Sequence, residues 1–310
     1  MPRPVFRSRA AAPIAAIVAL AAMLAAAFAP APSAAKSSHA DIRPALWSVS
    51  DADTTIYLFG SVHVLRPQDK WRFPAFRRAL ARSEIVYFEA PTDLFSQASV
   101  ALLIAQLGLN PPDTTLSSRL SPVGQARLSR IAESYGVPKR SLEPLRPWYA
   151  FLTLSMAAAA KAGASPTYGV DAVVEAEARL AGKEVRNFET LEQQLRIFAD
   201  LDPEDEEALL EMSLKDFEER PLQFDELIAA WRNGDLAALE DASLTPLKSA
   251  PPVFFRRIYA DRNRAWAETL DALLQKRPGE ILVVVGAAHL VGDLAVQTLL
   301  EEKGYFISRR

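Results

Sequence analysis

The sequence predicts an α/β protein, a central mixed β-sheet with flanking helices and a helical insertion in its middle. Two apolar runs, "IYLFG" and "ILVVVG", stop at a glycine as buried strands do, and amphipathic stretches of helical spacing follow or precede them. Between the first strands and the last lies a long proline-punctuated region of helical character. The chain has 310 residues, half of them hydrophobic, close to the size at which one core stops growing. Residues 41–310 therefore read as a single domain.

The first forty residues stand apart. "MPRPVFRSR" is basic, "AAPIAAIVALAAMLAAAFA" is apolar, and "PAPSAAKSSHA" is a run of small residues, the three regions of a secretory signal peptide followed by a linker. The expected location is thus periplasmic or secreted, with an uncleaved membrane anchor as the alternative. Only Arg3, Arg7, Arg9 and Lys36 carry charge in this segment, so the net charge of −3 falls to about −7 without it. An acidic remainder argues against nucleic-acid binding. No cysteine is present, so neither disulfides nor thiolate ligands are available, and any metal must be held by His, Asp or Glu.

From Leu46 the chain reads as a hairpin, two β-like runs joined by "SDADTT". "PAFRRALARS" is a helix and "EIVYFEA" a strand finishing at Glu89. Leu94 to Ala181 is mostly helical with breaks at Pro111, Pro122, Pro138 and Pro147; a helix from about Asp171 ends at Gly182, and a short strand runs to Glu189. Leu191 to Leu239 is helical again, broken at Pro203, Pro221 and Gly234, with Asp235 as a cap. "PPVFFRRIYADRNRAWAETLDALLQ" spells one long amphipathic helix. A strand "EILVVVG", a helix from about Val291 and a final "GYFIS" strand close the chain.

Chemistry concentrates in a repeated pattern. "GSVH" and "GAAH" each end a strand, and their histidines, His63 and His289, are the only two after residue 40. A glycine at a strand end permits a sharp turn, and the histidine then projects above the sheet edge, where α/β proteins bind ligands. Two imidazoles and a carboxylate suit a divalent first-row metal such as Mn, Co or Zn. Glu89 is the natural carboxylate and Glu189 the second candidate, although "ETLEQQL" also reads as a helix start. Asp171 reads as a helix cap, and Arg262 and Asn263 lie on the long helix. No His-Glu-x-x-His and no Gly-x-Ser-x-Gly sequence occurs, so helix-borne zinc and serine-elbow arrangements are absent.

With "LFGSVHVL", "FEA", "YGVD", "FETLEQQL", "WRNGD", "DRNRAWAETL" and "VVVGAAHLVG", the chain after residue 40 resembles the TraB/GumN family, which includes the TIKI and PrgY proteins. The resemblance implies a fold of the erythromycin esterase/ChaN-like group, with His63, His289 and Glu89 at a shared site and Arg262 and Asn263 beside it. It also implies that the animal TIKI branch are metal-dependent proteases, whereas most bacterial members have no known substrate. The expected function is therefore a metal-dependent, peptidase-like hydrolase of the cell envelope acting on a peptide or small molecule: His63, His289 and Glu89 hold the metal, Glu89 otherwise serves as base, Arg262 stabilises an oxyanion and Asn263 orients substrate or ligand. The alternative is a non-catalytic periplasmic protein binding metal, haem or another ligand through the same histidines.

Overall fold

The computed structural model describes residues 43–92 and 94–310. The segment read as a signal peptide and linker lies outside them. Six strands form one mixed sheet: β1 (Leu46–Ser50), β2 (Thr54–Ser61), β3 (Ile85–Phe88), β4 (Glu184–Asn187), β5 (Gly279–Gly286) and β6 (Phe306–Arg309), in the order β4-β3-β5-β2-β1-β6. β1 pairs antiparallel with β2 and β6, while β2, β5, β3 and β4 run parallel. The hairpin turn is fixed by Asp51, whose carboxylate accepts from the backbone N–H groups of Asp53 and Thr54.

Both faces of the sheet are covered, which is why β5 is apolar at consecutive positions rather than alternate ones. Leu282 and Val284 face a large core that includes Phe59, Phe76, Trp148, Phe151 and Phe198. Ile281, Val283 and Val285 face the other side, against Trp266, Ala267, Leu270 and Leu274 of the Asp261–Lys276 helix and Val296 and Leu300 of the Val296–Glu302 helix.

The helical insertion follows the prolines. Pro122, Pro147 and Pro203 each occupy the first turn of a helix, where a missing N–H costs nothing. Asp235 caps the Leu236–Leu247 helix by accepting from the Ala238 N–H. Among the described residues no helix is long and apolar enough to cross a membrane.

Two predicted helices differ from the structure. The long helix before β5 is three pieces, α-helical over Pro252–Phe255, π-helical over Arg256–Ala260 and α-helical again over Asp261–Lys276. The wide turn ends at Ala260, two residues before Arg262, a placement common at functional sites and invisible to a periodicity argument. After β5 the chain makes a short 3-10 turn, Ala287–Leu290, and becomes α-helical only at Val296. His289 therefore sits on the turn.

Candidate active site

Four parallel strands deliver their carboxyl ends to one edge of the sheet. Ser61 at the end of β2 lies opposite Gly286 at the end of β5, and Phe88 at the end of β3 lies opposite Val284 on one side and Asn187 on the other. His63, Glu89, Glu189 and His289 follow these ends, so strand register alone brings them together. A methyl group built on Gly286 would lie 3.0 Å from Glu89 Oε1, 3.6 Å from His289 Cδ2 and 3.7 Å from His63 Nε2. Only glycine leaves that convergence point open.

The two histidines are oriented by different partners. His63 Nδ1 lies 2.6 Å from Asp171 Oδ2, while Ser61 Oγ donates to Asp171 Oδ1 at 2.9 Å. The carboxylate keeps the proton on Nδ1 and leaves Nε2 as the lone-pair atom facing the convergence point. Burial by itself would lower the His63 pKa, but the Asp171 charge and hydrogen bond, with the Glu89 charge, lift it above the ordinary imidazole value. His289 Nδ1 instead meets Asn263 Oδ1. That amide is fixed by its own Nδ2, which donates to Leu294 O at 2.7 Å and His289 O at 3.3 Å, so its oxygen must face the ring. Burial, then the Arg262 and His63 charges, push His289 down to about 3 against the pull of Glu89. The ring lies 4.5 Å, centroid to centroid, from that of Trp266.

Glu89 is 2 % exposed and well partnered. Oε1 accepts from the Gly286 N–H at 2.6 Å; Oε2 accepts from Arg262 Nη2 at 2.6 Å and Gln194 Nε2 at 3.2 Å. Burial works against ionisation, yet the Arg262 guanidinium, the histidines and the Gly286 N–H hold the acid far below the usual carboxylate range. Glu89 is thus a fixed anion, a better ligand than base.

Arg262 uses all five of its N–H groups. Nε donates to Glu189 Oε1 at 2.8 Å, Nη2 to Glu89 Oε2 and to Glu189 Oε2 at 3.0 Å, and Nη1 to Ile258 O at 3.1 Å and His289 Nε2 at 3.0 Å. No donor is left over for an oxyanion in this arrangement. Glu189 does not reach the histidines and does not cap the next helix. Thr190 makes that cap, in a capping box with Gln193, while Glu189 binds Arg262 and accepts from Trp266 Nε1 at 3.0 Å.

A model of the TraB/PrgY/gumN family matches residues 45–309. The chain belongs to the TraB/PrgY/gumN family. No curated protein and no solved structure matches it significantly. In this TraB/PrgY/gumN protein the shared segments acquire physical roles. Trp231 of "WRNGD" donates its indole N–H to Gly60 O at 2.8 Å, holding the first Gly-x-x-His turn. Gly169 of "YGVD" presses on the His63 backbone, where a Cβ would come within 2.0 Å of the His63 carbonyl oxygen. The Val170 N–H also donates to Val62 O. That contact delivers Asp171 to His63, so the reading of Asp171 as a cap is corrected: it sits in the first turn of the Val170–Leu180 helix and makes no cap bond. Gln194 was likewise missed. The "YGVD" and "FETLEQQL" segments were the only available signals for the two.

The donor types suit a divalent cation. Both imidazoles carry the proton on Nδ1, held by a carboxylate or an amide oxygen, which is the orientation that partner groups impose on metal-binding histidines. Two carboxylates, Glu89 and Glu189, share the single Arg262 guanidinium, and a third, Asp171, pairs with His63, so a second cation has charge to balance. His63 Nε2 and Glu89 Oε1 are open toward the convergence point. His289 Nε2 is taken by Arg262, and among the described residues no three such side chains are gathered closely enough to ligate as they stand.

Proposed function

We propose that this family member is a metal-dependent hydrolase of the peptidase type, with His63, Glu89 and His289 holding a divalent Mn, Co or Zn ion. The observation that carries the reading is the approach of His63 Nε2, the His289 ring and Glu89 Oε1 to one point beside Gly286, at a buried site where the Glu89 and Glu189 carboxylates share one guanidinium. When bound, the ion supplies Lewis acidity toward a carbonyl and brings the pKa of water near neutrality. The protein's part is orientation and charge. Asp171 and Asn263 fix the two rings, Gln194 and the Gly286 N–H fix Glu89, and Arg262 keeps Glu89 ionised.

With Nδ1–H given to Asp171 and Nε2 given to the ion, His63 serves as a ligand and has no lone pair left for a proton, and Glu89, held ionised beside Arg262, serves as the anionic ligand. Ser61 is not a nucleophile in this scheme, because it donates to Asp171 rather than facing a histidine nitrogen. The basic, apolar and small-residue order of the first forty residues supports action in the cell envelope.

Turnover of peptide and ester libraries by the metal-free protein with Mn, Co or Zn added back tests the reading. Metal-restored hydrolysis that is lost in His63→Ala supports it. Metal binding by a folded protein without turnover of any member would favour a metal-binding protein instead, and absence of metal binding would defeat both.

A further inference from the structure

Resting on that reading, we infer that Arg262 is a resident cation occupying the lone pair of the third metal donor, His289 Nε2, and that Glu189 is the outward anchor to which Arg262 withdraws when a divalent ion binds. The guanidinium is shared between an inner and an outer set of partners. The inner set is Glu89 Oε2 and His289 Nε2, both also elements of the proposed metal site. The outer set is Glu189, which takes Nε and Nη2, and the Trp266 ring, whose centroid lies 4.6 Å from the guanidinium carbon.

The outer set is built to persist without the inner one. Glu189 is held independently of Arg262 by the Trp266 indole and by its backbone N–H, which donates to Glu89 O at 2.8 Å. Its side chain is 13 % exposed against 2 % for Glu89, so charge drawn toward it moves toward solvent. An imidazole nitrogen has one lone pair, so it cannot accept from Arg262 and ligate a metal at once. The π-helical turn that ends at Ala260, two residues before Arg262, sets the reach of this side chain and supplies the Ile258 carbonyl that steadies Nη1. Arg262 is therefore a positioning residue and a competitor for the metal. It keeps the buried acids neutralised while no metal is present and opposes weakly binding cations.

Two measurements on the full chain decide this. In Arg262→Gln, calorimetric titration with MnCl2 is expected to show at least tenfold tighter binding than the wild type, because a fixed positive charge is gone and His289 Nε2 is released. Equal or weaker binding by the folded variant overturns the inference. The second measurement needs no variant. With nitrogen-15-labelled histidine and arginine, added ZnCl2 is expected to move the His289 Nε2 resonance to a ligated position, while Arg262 Nε keeps its shift beside Glu189. Zinc binding that leaves His289 Nε2 unmoved overturns the inference and leaves the metal reading standing. Zinc and manganese bound by neither protein defeat both.

Discussion

The two Gly-x-x-His turns follow the same local plan and end in opposite electrostatic environments. Each leaves a parallel strand at a glycine and places a buried imidazole at the sheet edge, and each ring is steadied through Nδ1. The difference lies in the partner. Asp171 brings a negative charge to His63 and raises its proton affinity; Asn263 brings a neutral oxygen to His289, and with Arg262 at Nε2 that ring stays neutral down to about pH 3. In the metal-free protein one motif has therefore produced a histidine of raised proton affinity and a histidine that stays neutral throughout the physiological range.

The largest expected effect removes what the two share. Glu89→Ala leaves Arg262 half-compensated and the Gly286 N–H without its acceptor in a buried site, so stability should drop by about 3–5 kcal/mol. A denaturant titration measures it, and a loss below about 1 kcal/mol would mean that Glu89 does not tie the two turns together.

Exchanging the partners comes next. Asp171→Asn gives His63 the kind of partner His289 has, so its pKa should drop and metal affinity should weaken about 10–100-fold. Asn263→Asp makes the reciprocal change; it should raise the His289 pKa, and the lost amide donations to Leu294 and His289 carbonyls should cost about 1–3 kcal/mol. Imidazole titrations by NMR read both, and unmoved pKa values would show that the Nδ1 partner does not set the difference.

The smallest effect is on the pH dependence of stability, where the two rings act in opposite senses. His63 has a raised folded-state pKa, so its contribution is complete below the unfolded value near 6.5 and is lost as pH rises through the folded one. His289 is depressed to about 3, so its unfolded form binds the extra proton and stability is lost as pH falls from about 6.5 toward 3. His289→Gln should flatten that acid limb and His63→Gln the alkaline one. Melting temperatures across pH distinguish them, and an unchanged acid limb in His289→Gln would remove the contrast. Metal binding should weaken on acidification at a pH set by His63, above 6.5, rather than by His289.

Much of this was legible in advance because β-strands advertise themselves locally. The runs ending at Gly60 and Gly286 are too apolar and β-branched for a solvated face, and once both are parallel strands of one sheet, their carboxyl ends must share an edge. His63, Glu89 and His289 were found on that ground. Asp171 was not, because an acid in the first turn of a helix looks the same in sequence whether it caps the helix or points at a distant ring. The π-helical turn was hidden because it spans only Arg256–Ala260, too short a stretch for its wider period to be read from residue spacing.

The sequence by itself determined the α/β class, the strand ends and the set of titratable side chains placed there, since these follow from local periodicity and turn chemistry. Only the tertiary structure decided which carboxylate serves which base. That choice depends on ångström-scale approach between segments as far apart as residues 63 and 171 or 189 and 262, and on burial, which turns those approaches into differences in proton affinity.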